Sequence, residues 1–299
     1  MSDQLRVDIL ADDDWAQPLL DLVAAAGQSP QTCPIDDAGR PREGDLLIVA
    51  GPDHRLAEWI DALDLQPSDH TVFVSPGLLP ETGETATEYV LRHTASLRFG
   101  VLAGPLRANA LAEGRLGAGV LASAFQSVQD LGAKALHSPR FRVYPSADIR
   151  GAELSKTVVE ALAFGVGLVD GLGLGSTLRT MLITRGVAQA SYAAHVLGAE
   201  SATLTGLCGL GDLLLSLEAD DNHHWAAGQA LARSTSTPKT HEAGTVLFDL
   251  GLSVRHILDR MGGQTATFSL LEIVDAILRG QIGLQDALMD LMERPVRQE

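Results

Sequence analysis

The chain has 299 residues and a mass of 31.6 kDa, a length that favours two domains. Its composition, 45% hydrophobic and 20% charged residues, is that of a globular protein and excludes a disordered or collagen-like chain. Lys and Arg number 22 against 38 Asp and Glu, a net charge of −16, which argues against a nucleic-acid partner because its phosphates would be repelled.

The sequence indicates neither a membrane span nor a signal peptide. No apolar run approaches the roughly 18 to 20 residues that a bilayer span needs, and the start, Met1–Arg6, lacks a basic-then-apolar signal pattern. Cys33 and Cys208 stand alone, without the paired spacing of a zinc site or a disulfide framework. We therefore expect a cytoplasmic protein with no membrane span and with reduced cysteines.

The first half alternates β-rich runs with helical ones. The predicted strands are Leu5–Leu10, Asp45–Ala50, Thr71–Ser75, Leu97–Ala103, Ala118–Ala122 and Phe141–Tyr144. The predicted helices among them are Trp15–Ala26, Arg55–Leu63 and Ser123–Lys134. The run Asp45–Ala50 is apolar without alternation, which is typical of a strand covered on both faces and predicts a parallel sheet between helices.

The second half is helical throughout. Its predicted helices are Ala152–Val169, Leu178–Leu197, Ala226–Arg233, Thr245–Leu250, Phe268–Arg279 and Leu284–Glu293. We place the boundary in Ser146–Gly151. The fold class predicted is α/β, with a Rossmann-like, doubly wound domain over residues 1–146 and an all-helical domain over residues 147–299.

The turn after the first strand departs from that of a dinucleotide-binding domain. Such a turn carries Gly-x-Gly-x-x-Gly, so that the backbone can approach a pyrophosphate at the start of the helix. Here it reads Ala11-Asp-Asp-Asp-Trp-Ala16. We interpret the aspartates first as caps of the following helix, and we do not expect this turn to cradle phosphate.

Several motifs carry a resemblance to a known family. They are Phe141-Arg-Val-Tyr144, Gly151-Ala-Glu-Leu154, Asp170-Gly-Leu-Gly-Leu-Gly175, Leu182-Ile-Thr-Arg-Gly186 and Gly206-Leu-Cys-Gly-Leu-Gly-Asp212. In this order and spacing the chain resembles the bacterial type of NAD(P)-dependent glycerol-3-phosphate dehydrogenase. The resemblance extends over nearly the whole chain and implies a Rossmann domain followed by a helical domain like that of 6-phosphogluconate dehydrogenase.

The resemblance also locates positions at which the family's working residues are replaced. The family's proton-accepting lysine corresponds to Val159, a second lysine to Pro76, and a Ser-Arg-Asn stretch to Asp220-Asp221-Asn222. Each replacement removes a positive charge. Phosphate recognition depends on pairing with Lys or Arg, so we expect the parent reaction to be nearly abolished.

The resemblance also implies which positions line the substrate pocket and contact the cofactor, and among them Asp221 stands in place of the family's arginine. The substrate-pocket positions that the resemblance implies are Gly104, Asp212, Asp221 and Asn222. The cofactor-contact positions, for NAD(P), are Trp15, Ala108 and Glu242.

Lys156 is a candidate replacement for the missing base, with Asp212 as a second catalytic candidate. It lies one helical turn before Val159, on a similar helix face. A base role would need both reach and a lowered pKa. The alternative, which we favour, is an ion pair with Glu153 or Glu160.

A metal or cation site is a further alternative. Asp212, Asp221, His223 and His241 would converge on the substrate cleft if the family geometry holds, and carboxylates with imidazoles suit a divalent cation. No established ligand spacing supports this site. We therefore favour a solvated turn and predict no bound metal.

Three hypotheses for function remain. The preferred one is a binding or regulatory pseudoenzyme that has lost glycerol-3-phosphate dehydrogenase activity. The second is an NAD(P)-dependent oxidoreductase that acts on a CH-OH group of another substrate and uses Lys156. The third is a metal- or cation-dependent activity. The expected ligand is an unidentified small molecule, and the resemblance implies a homodimer.

Overall fold

The computed structural model describes residues 4–34, 44–218, 222–234, 245–262 and 269–293. These residues form an α/β unit followed by a helical unit, as the sequence predicts. The last strand of the sheet ends at Ser146 and the next helix begins at Ile149. The proposed division into residues 1–146 and 147–299 therefore falls in the connection between these two elements.

A seven-stranded sheet organises the α/β unit. Its strands are β1 (Arg6–Ala11), β2 (Ser29–Thr32), β3 (Leu46–Ala50), β4 (His70–Val74), β5 (Arg98–Ala103), β6 (Gly117–Ala122) and β7 (Phe141–Ser146). The spatial order is β2-β1-β3-β4-β5-β6-β7. Neighbours pair in parallel except β5 and β6, which are antiparallel. The sheet is therefore mostly parallel, as predicted.

Helices cover both faces of the sheet and then form the second unit. The first five are α1 (Asp13–Ala25), α2 (Asp53–Ala62), α3 (Ala86–His93), α4 (Ala108–Ala112) and α5 (Gln126–Leu136). The later ones are α6 (Ile149–Gly171), α7 (Ser176–Val196), α8 (Ser201–Thr205), α9 (Asp212–Ser216), α10 (His223–Arg233), α11 (Val246–Met261), α12 (Ser269–Leu278) and α13 (Leu284–Glu293), with a π-helical turn at Leu207–Gly211.

The sequence analysis missed β2 and the helices α3, α4, α8 and α9, and it predicted α11 too short. The strand β2 is a short, largely exposed edge strand that contains Pro30, which an edge position tolerates. The helix α3 is identified by its capping box, with Thr85 and Glu88 each accepting from the other's backbone N–H. The predicted helix Thr245–Leu250 stopped at a glycine, whereas α11 continues to a left-handed cap at Gly262, where φ is 55°.

The sheet topology fixes where a ligand can bind. The chain leaves β1 for β2 on one side and returns to β3 on the other, and Ala11 at the end of β1 lies opposite Ala50 at the end of β3. In open α/β sheets the crevice outside the carboxyl ends of strands at such a switch point is the usual ligand site. The functional site is therefore expected beside these two residues.

Close packing of α10 on α6 brings a second wall to this crevice. A β-carbon built on Gly228 would lie 2.3 Å from the carbonyl oxygen of Phe164, and one on Gly167 would lie 2.2 Å from that of Trp225. Only glycine permits so close a backbone approach. The glycines thereby hold the start of α10 against the middle of α6.

A buried carboxyl group ties the helical unit to the α/β unit. Glu153 of α6, 1% exposed, accepts from the backbone N–H of Thr87 at 2.9 Å and from its hydroxyl group at 2.6 Å. Thr87 lies in the first turn of α3, where backbone N–H groups lack partners within the helix. Glu153 thus caps α3 from the other domain.

The stability contributed by Glu153 should depend on pH. Burial raises the pKa of Glu153 from 4.5 to about 7, so the folded protein holds this proton more tightly than the unfolded chain. The contribution is complete below about pH 4.5 and is lost as pH rises through about 7. Relative to Glu153→Gln, the wild type should lose about 3 kcal/mol of unfolding free energy across this window, measured by urea denaturation. A Glu58→Gln control, at an exposed site, should show no such trend, and a pH-independent difference for Glu153→Gln would contradict this assignment.

Candidate functional site

A cleft of about 760 Å³ lies between the carboxyl edge of the sheet and the helical unit. Its walls come from the starts of α1 and α2, the end of β4, the segment that leads into α4, the middle of α6 and the start of α10. The cleft therefore occupies the switch point that the topology predicts.

The first wall of the cleft carries an acidic helix start. The carboxylate of Asp12 caps α1 by accepting from the backbone N–H of Trp15 at 3.1 Å, as the sequence interpretation proposed. Burial raises the pKa of Asp12, and the negative charges of Asp14 and Asp13 raise it further. The helix dipole at α1 is thus already satisfied by carboxylates.

These residues do not suit the pyrophosphate of a dinucleotide. Ala11, Asp13 and Ala16 occupy the three glycine positions of the expected turn, and the N–H of Trp15 is taken by Asp12. A pyrophosphate here would meet carboxylates instead of free N–H groups. Trp15 and Ala108, the two described residues predicted to contact the cofactor, do line the cleft.

Lys156 enters the cleft from α6 as one half of an ion pair. Its Nζ lies 3.2 Å from Oε1 of Glu160, whereas Glu153, the other partner considered, is bound to Thr87. Although burial disfavours the ammonium ion, the carboxylates of Glu160 and Asp212 raise the pKa of Lys156 above its ordinary value. The raised pKa of Lys156 is the opposite of what a base role needs.

The position to which the resemblance assigns the family's lysine is apolar. Val159 lies on α6, lines the cleft, and is 3% exposed. A valine can neither accept a proton nor neutralise an anion. The cleft therefore has no proton acceptor at this place.

Arg107 is a cation of the cleft that the sequence analysis missed. Its Nη1 donates to Oδ1 of Asp212 at 3.0 Å and to the carbonyl oxygen of Leu106 at 2.7 Å, and its Nη2 donates to Ser216. The expectation that positive charge is missing was thus incomplete, because it considered only the family's own positions. Lys156 and Arg107 both line the described cleft, and each is paired with a carboxylate.

Two predicted pocket residues lie behind the cleft wall. Asp212 is 2% exposed, and burial raises its pKa although Lys156 and Arg107 act in the opposite direction. Asp212 accepts a hydrogen bond from Arg107. Gly104 is buried with φ of 111°, and a β-carbon there would lie 3.6 Å from Leu207.

The start of α10 contributes an amide and an imidazole. Asn222 lines the cleft and caps α10 by accepting from the N–H of Trp225 at 2.8 Å. Nδ1 of His224 lies 4.0 Å from Oε1 of Glu160. Burial lowers the pKa of His224, although Glu160 opposes this, so the imidazole is neutral at neutral pH.

Asp53 is a second cleft residue that the sequence analysis missed. It is the first residue of α2, and its Oδ1 accepts from the backbone N–H of Gly77 at 3.0 Å. Burial and the negative charge of Glu160 raise the pKa of Asp53 to about 7. The available signal was an acid directly after Gly51-Pro52, at the carboxyl end of a buried strand.

The remaining predicted residues fall into two groups. Asp221, His241 and Glu242 lie outside the described residues, whereas His223 lines the cleft. Within the described ranges no group of three or more His, Cys, Asp or Glu side chains could hold a metal ion. No disulfide bond joins Cys33 and Cys208. Among the described helices, none is long and apolar enough to cross a membrane.

Sequence comparisons link the chain to known enzymes. Residues 148–289 match the family described as NAD-dependent glycerol-3-phosphate dehydrogenase C-terminus. The glycerol-3-phosphate dehydrogenase [NAD(P)+] of Paracidovorax citrulli is 36% identical over 261 residues, which are 84% of this chain and 75% of the relative. That of Sinorhizobium fredii is 32% identical over 287 residues, which are 95% of this chain and 83% of the relative.

Solved structures share the fold over nearly the whole chain. The glycerol-3-phosphate dehydrogenase of Coxiella burnetii has a TM-score of 0.80 and 24% identity, covering 97% of this chain and 99% of that one. The Plasmodium falciparum enzyme has a TM-score of 0.82 and 15% identity, covering 99% and 97%. At these identities the structural likeness concerns the fold.

Removing Arg107 should expose the energetic cost of the buried Asp212. Arg107→Met leaves a 3% exposed carboxylate without its guanidinium partner and should lower the free energy of unfolding by about 3 kcal/mol. Adding Asp212→Asn should restore most of this loss. Arg115→Met, which removes an exposed pair with Glu113, should change it by less than about 0.5 kcal/mol. Equal effects of Arg107→Met and Arg115→Met in urea denaturation would contradict a buried pair.

Proposed function

We propose, for a chain that belongs to the family of NAD(P)-dependent glycerol-3-phosphate dehydrogenases, that its cleft binds a small molecule without oxidising glycerol 3-phosphate. The observation that carries this proposal is the pairing of both Lys and Arg side chains of the described cleft with carboxylates. Lys156 is paired with Glu160 and Arg107 with Asp212.

A phosphate ester would find no net positive charge in this cleft. Binding a phosphate requires a cation that is free to form charge-assisted hydrogen bonds. Glu160 and Asp212 already accept from the two cations, and Asp12 and Asp53 add further acidic groups. The charge balance of the described cleft therefore opposes an anionic substrate.

The lysine that family membership implies as proton acceptor for alcohol oxidation is also replaced. Oxidation of the substrate's alcohol requires a base for the hydroxyl proton, and its loss typically costs about 10²- to 10⁴-fold in rate. Val159 cannot supply this base, and carboxylates hold Lys156 in its protonated form. Both the replacement by Val159 and the protonation of Lys156 act against removal of the hydroxyl proton.

We extend the proposal to the cofactor. The relatives are named as NAD(P)+ enzymes, and NAD(P) is the cofactor that family membership implies. The carboxylates of the α1 turn, Asp12, Asp13 and Asp14, oppose a pyrophosphate at that place. We propose that this protein does not hold NAD(P) there and acts as a binding or regulatory protein. A cytoplasmic location and a homodimer remain part of the proposal.

The oxidoreductase alternative makes a different demand on Lys156. Oxidation would need its unprotonated amine, whereas Glu160 and Asp212 raise the pKa of Lys156 and favour the ammonium ion. Reduction of a ketone could use the proton of that ammonium ion.

The metal alternative depends in part on Asp221 and His241, which lie outside the described residues. The paired cations favour the binding role over both.

A coupled assay tests the proposal. The purified full chain, with glycerol 3-phosphate and either NAD+ or NADP+, should give no cofactor reduction above the enzyme-free blank. Millimolar NADH or NADPH should leave its melting temperature unchanged, whereas a cofactor at 100 times its dissociation constant would add about 2.7 kcal/mol of stability.

The assay separates the alternatives. Turnover of glycerol 3-phosphate would contradict the proposal. A melting shift without such turnover would favour the altered-substrate oxidoreductase, and Lys156→Met would then be expected to abolish turnover of its substrate. A control variant, Lys134→Met on α5, should behave as the wild type in both measurements.

A further inference from the structure

An acid and a cation from the two domains flank one point of the cleft. A β-carbon built on Gly77 would lie 2.7 Å from Oδ2 of Asp53 and 3.4 Å from Cγ of Lys156. Oδ1 of Asp53 accepts from the N–H of Gly77 at 3.0 Å, and Oδ2 is the oxygen on the side of the built β-carbon. Asp53 and the aliphatic stem of Lys156 therefore lie beside the same small residue, and both side chains line the cleft.

Glu160 holds the cation of this pair in place. One oxygen atom, Oε1, lies 3.2 Å from Nζ of Lys156 and 4.0 Å from Nδ1 of His224. The ammonium nitrogen and the imidazole therefore lie no more than about 7 Å apart. Glu160 thus orients a protonated amine toward the cleft while the neutral imidazole faces it from α10.

The protonation states of the pair suit acid-base chemistry near neutral pH. A carboxyl group that titrates near 7 is an effective proton acceptor in this range, and burial places Asp53 there. An ammonium group is an effective partner for a developing negative charge on oxygen. Neither function requires a redox cofactor.

We propose that the cleft catalyses a redox-neutral proton transfer at the carbon atom next to the carbonyl group of a small, uncharged hydroxyketone. Asp53 accepts the carbon-bound proton, Lys156 polarises the carbonyl oxygen, and Glu160 positions Lys156. The proposal goes beyond the binding role and rests on it in one respect, that an unphosphorylated ligand enters the cleft.

The step is balanced without an oxidant or a reductant. The C–H bond breaks, its proton moves to Oδ2 of Asp53, and its electron pair forms the carbon-carbon double bond of an enediol. The carbonyl oxygen takes the displaced electron pair and a proton from Nζ of Lys156. Return of the two protons regenerates the ketone or gives the isomeric aldehyde, and exchange with solvent leaves a deuterium label in heavy water.

The charged groups around Asp53 determine the pH dependence of this reaction. Asp53 is faced by Glu160 and Lys156 of α6 and by Asp249 of α11, and Asp249 in turn lies 3.7 Å from Nδ1 of His54. The acids favour the protonated carboxyl group, whereas Lys156 favours the carboxylate. The rate should therefore rise as pH increases through about 7, where Asp53 loses its proton.

The test is deuterium incorporation into dihydroxyacetone and hydroxyacetone in heavy water, followed by proton NMR with the full chain and no added cofactor. The wild type should exceed the buffer rate, and Asp53→Asn and Lys156→Met should each lose at least about 100-fold of the enzymatic rate. Glu160→Gln should lower the rate less and change its pH profile. Asp130→Asn and Lys134→Met, both on α5, serve as matched controls.

Each outcome decides the proposal. No exchange above buffer with either ketone, or exchange that survives Asp53→Asn or Lys156→Met, would overturn it. If Asp53→Asn does not fold, as judged by circular dichroism, Asp53→Ser replaces it, since serine also suits a helix start. Because the assay contains no cofactor and no phosphate, its failure leaves the test of glycerol 3-phosphate oxidation unaffected.

Discussion

The carboxylate of Glu160 governs the electrostatics of the cleft, because it lies beside a lysine and a histidine at once. It is 3.2 Å from Nζ of Lys156 and 4.0 Å from Nδ1 of His224. It keeps the lysine protonated and also cancels the charge that an anion would meet. Together with burial it raises the pKa of Asp53, so a single carboxylate influences three neighbouring groups.

This arrangement depends on how closely two helices pack. Gly167 and Gly228 let α6 and α10 approach until a β-carbon at either glycine would overlap a backbone carbonyl oxygen of the other helix. The approach places His224 next to Glu160. From the opposite side, the strand order of the sheet places the start of α2, with Asp53, at the same cleft. The charge of Glu160 and the strand order of the sheet therefore shape the same cleft.

Local sequence patterns predicted the features that depend on interactions between residues close together in the chain. The apolar run of β3 identified a buried strand, and helical spacing narrowed the ion-pair partner of Lys156 to Glu153 or Glu160, of which the structure shows Glu160. The pairing of Arg107 with Asp212 spans 105 residues, and no local pattern encodes such a contact. Asp53 was missed for the same reason, because Gly77, Lys156 and Glu160 reach it only through the fold.

We propose that the paired carboxylates deprive the cleft of affinity for a phosphate ester. Titration calorimetry of glycerol 3-phosphate into the purified full chain tests it most directly, since it requires neither turnover nor cofactor. We expect no saturable heat up to millimolar ligand. Saturable binding at micromolar concentrations, about −8 kcal/mol in free energy, would contradict it, because the ion pairs would then have to open for the ligand.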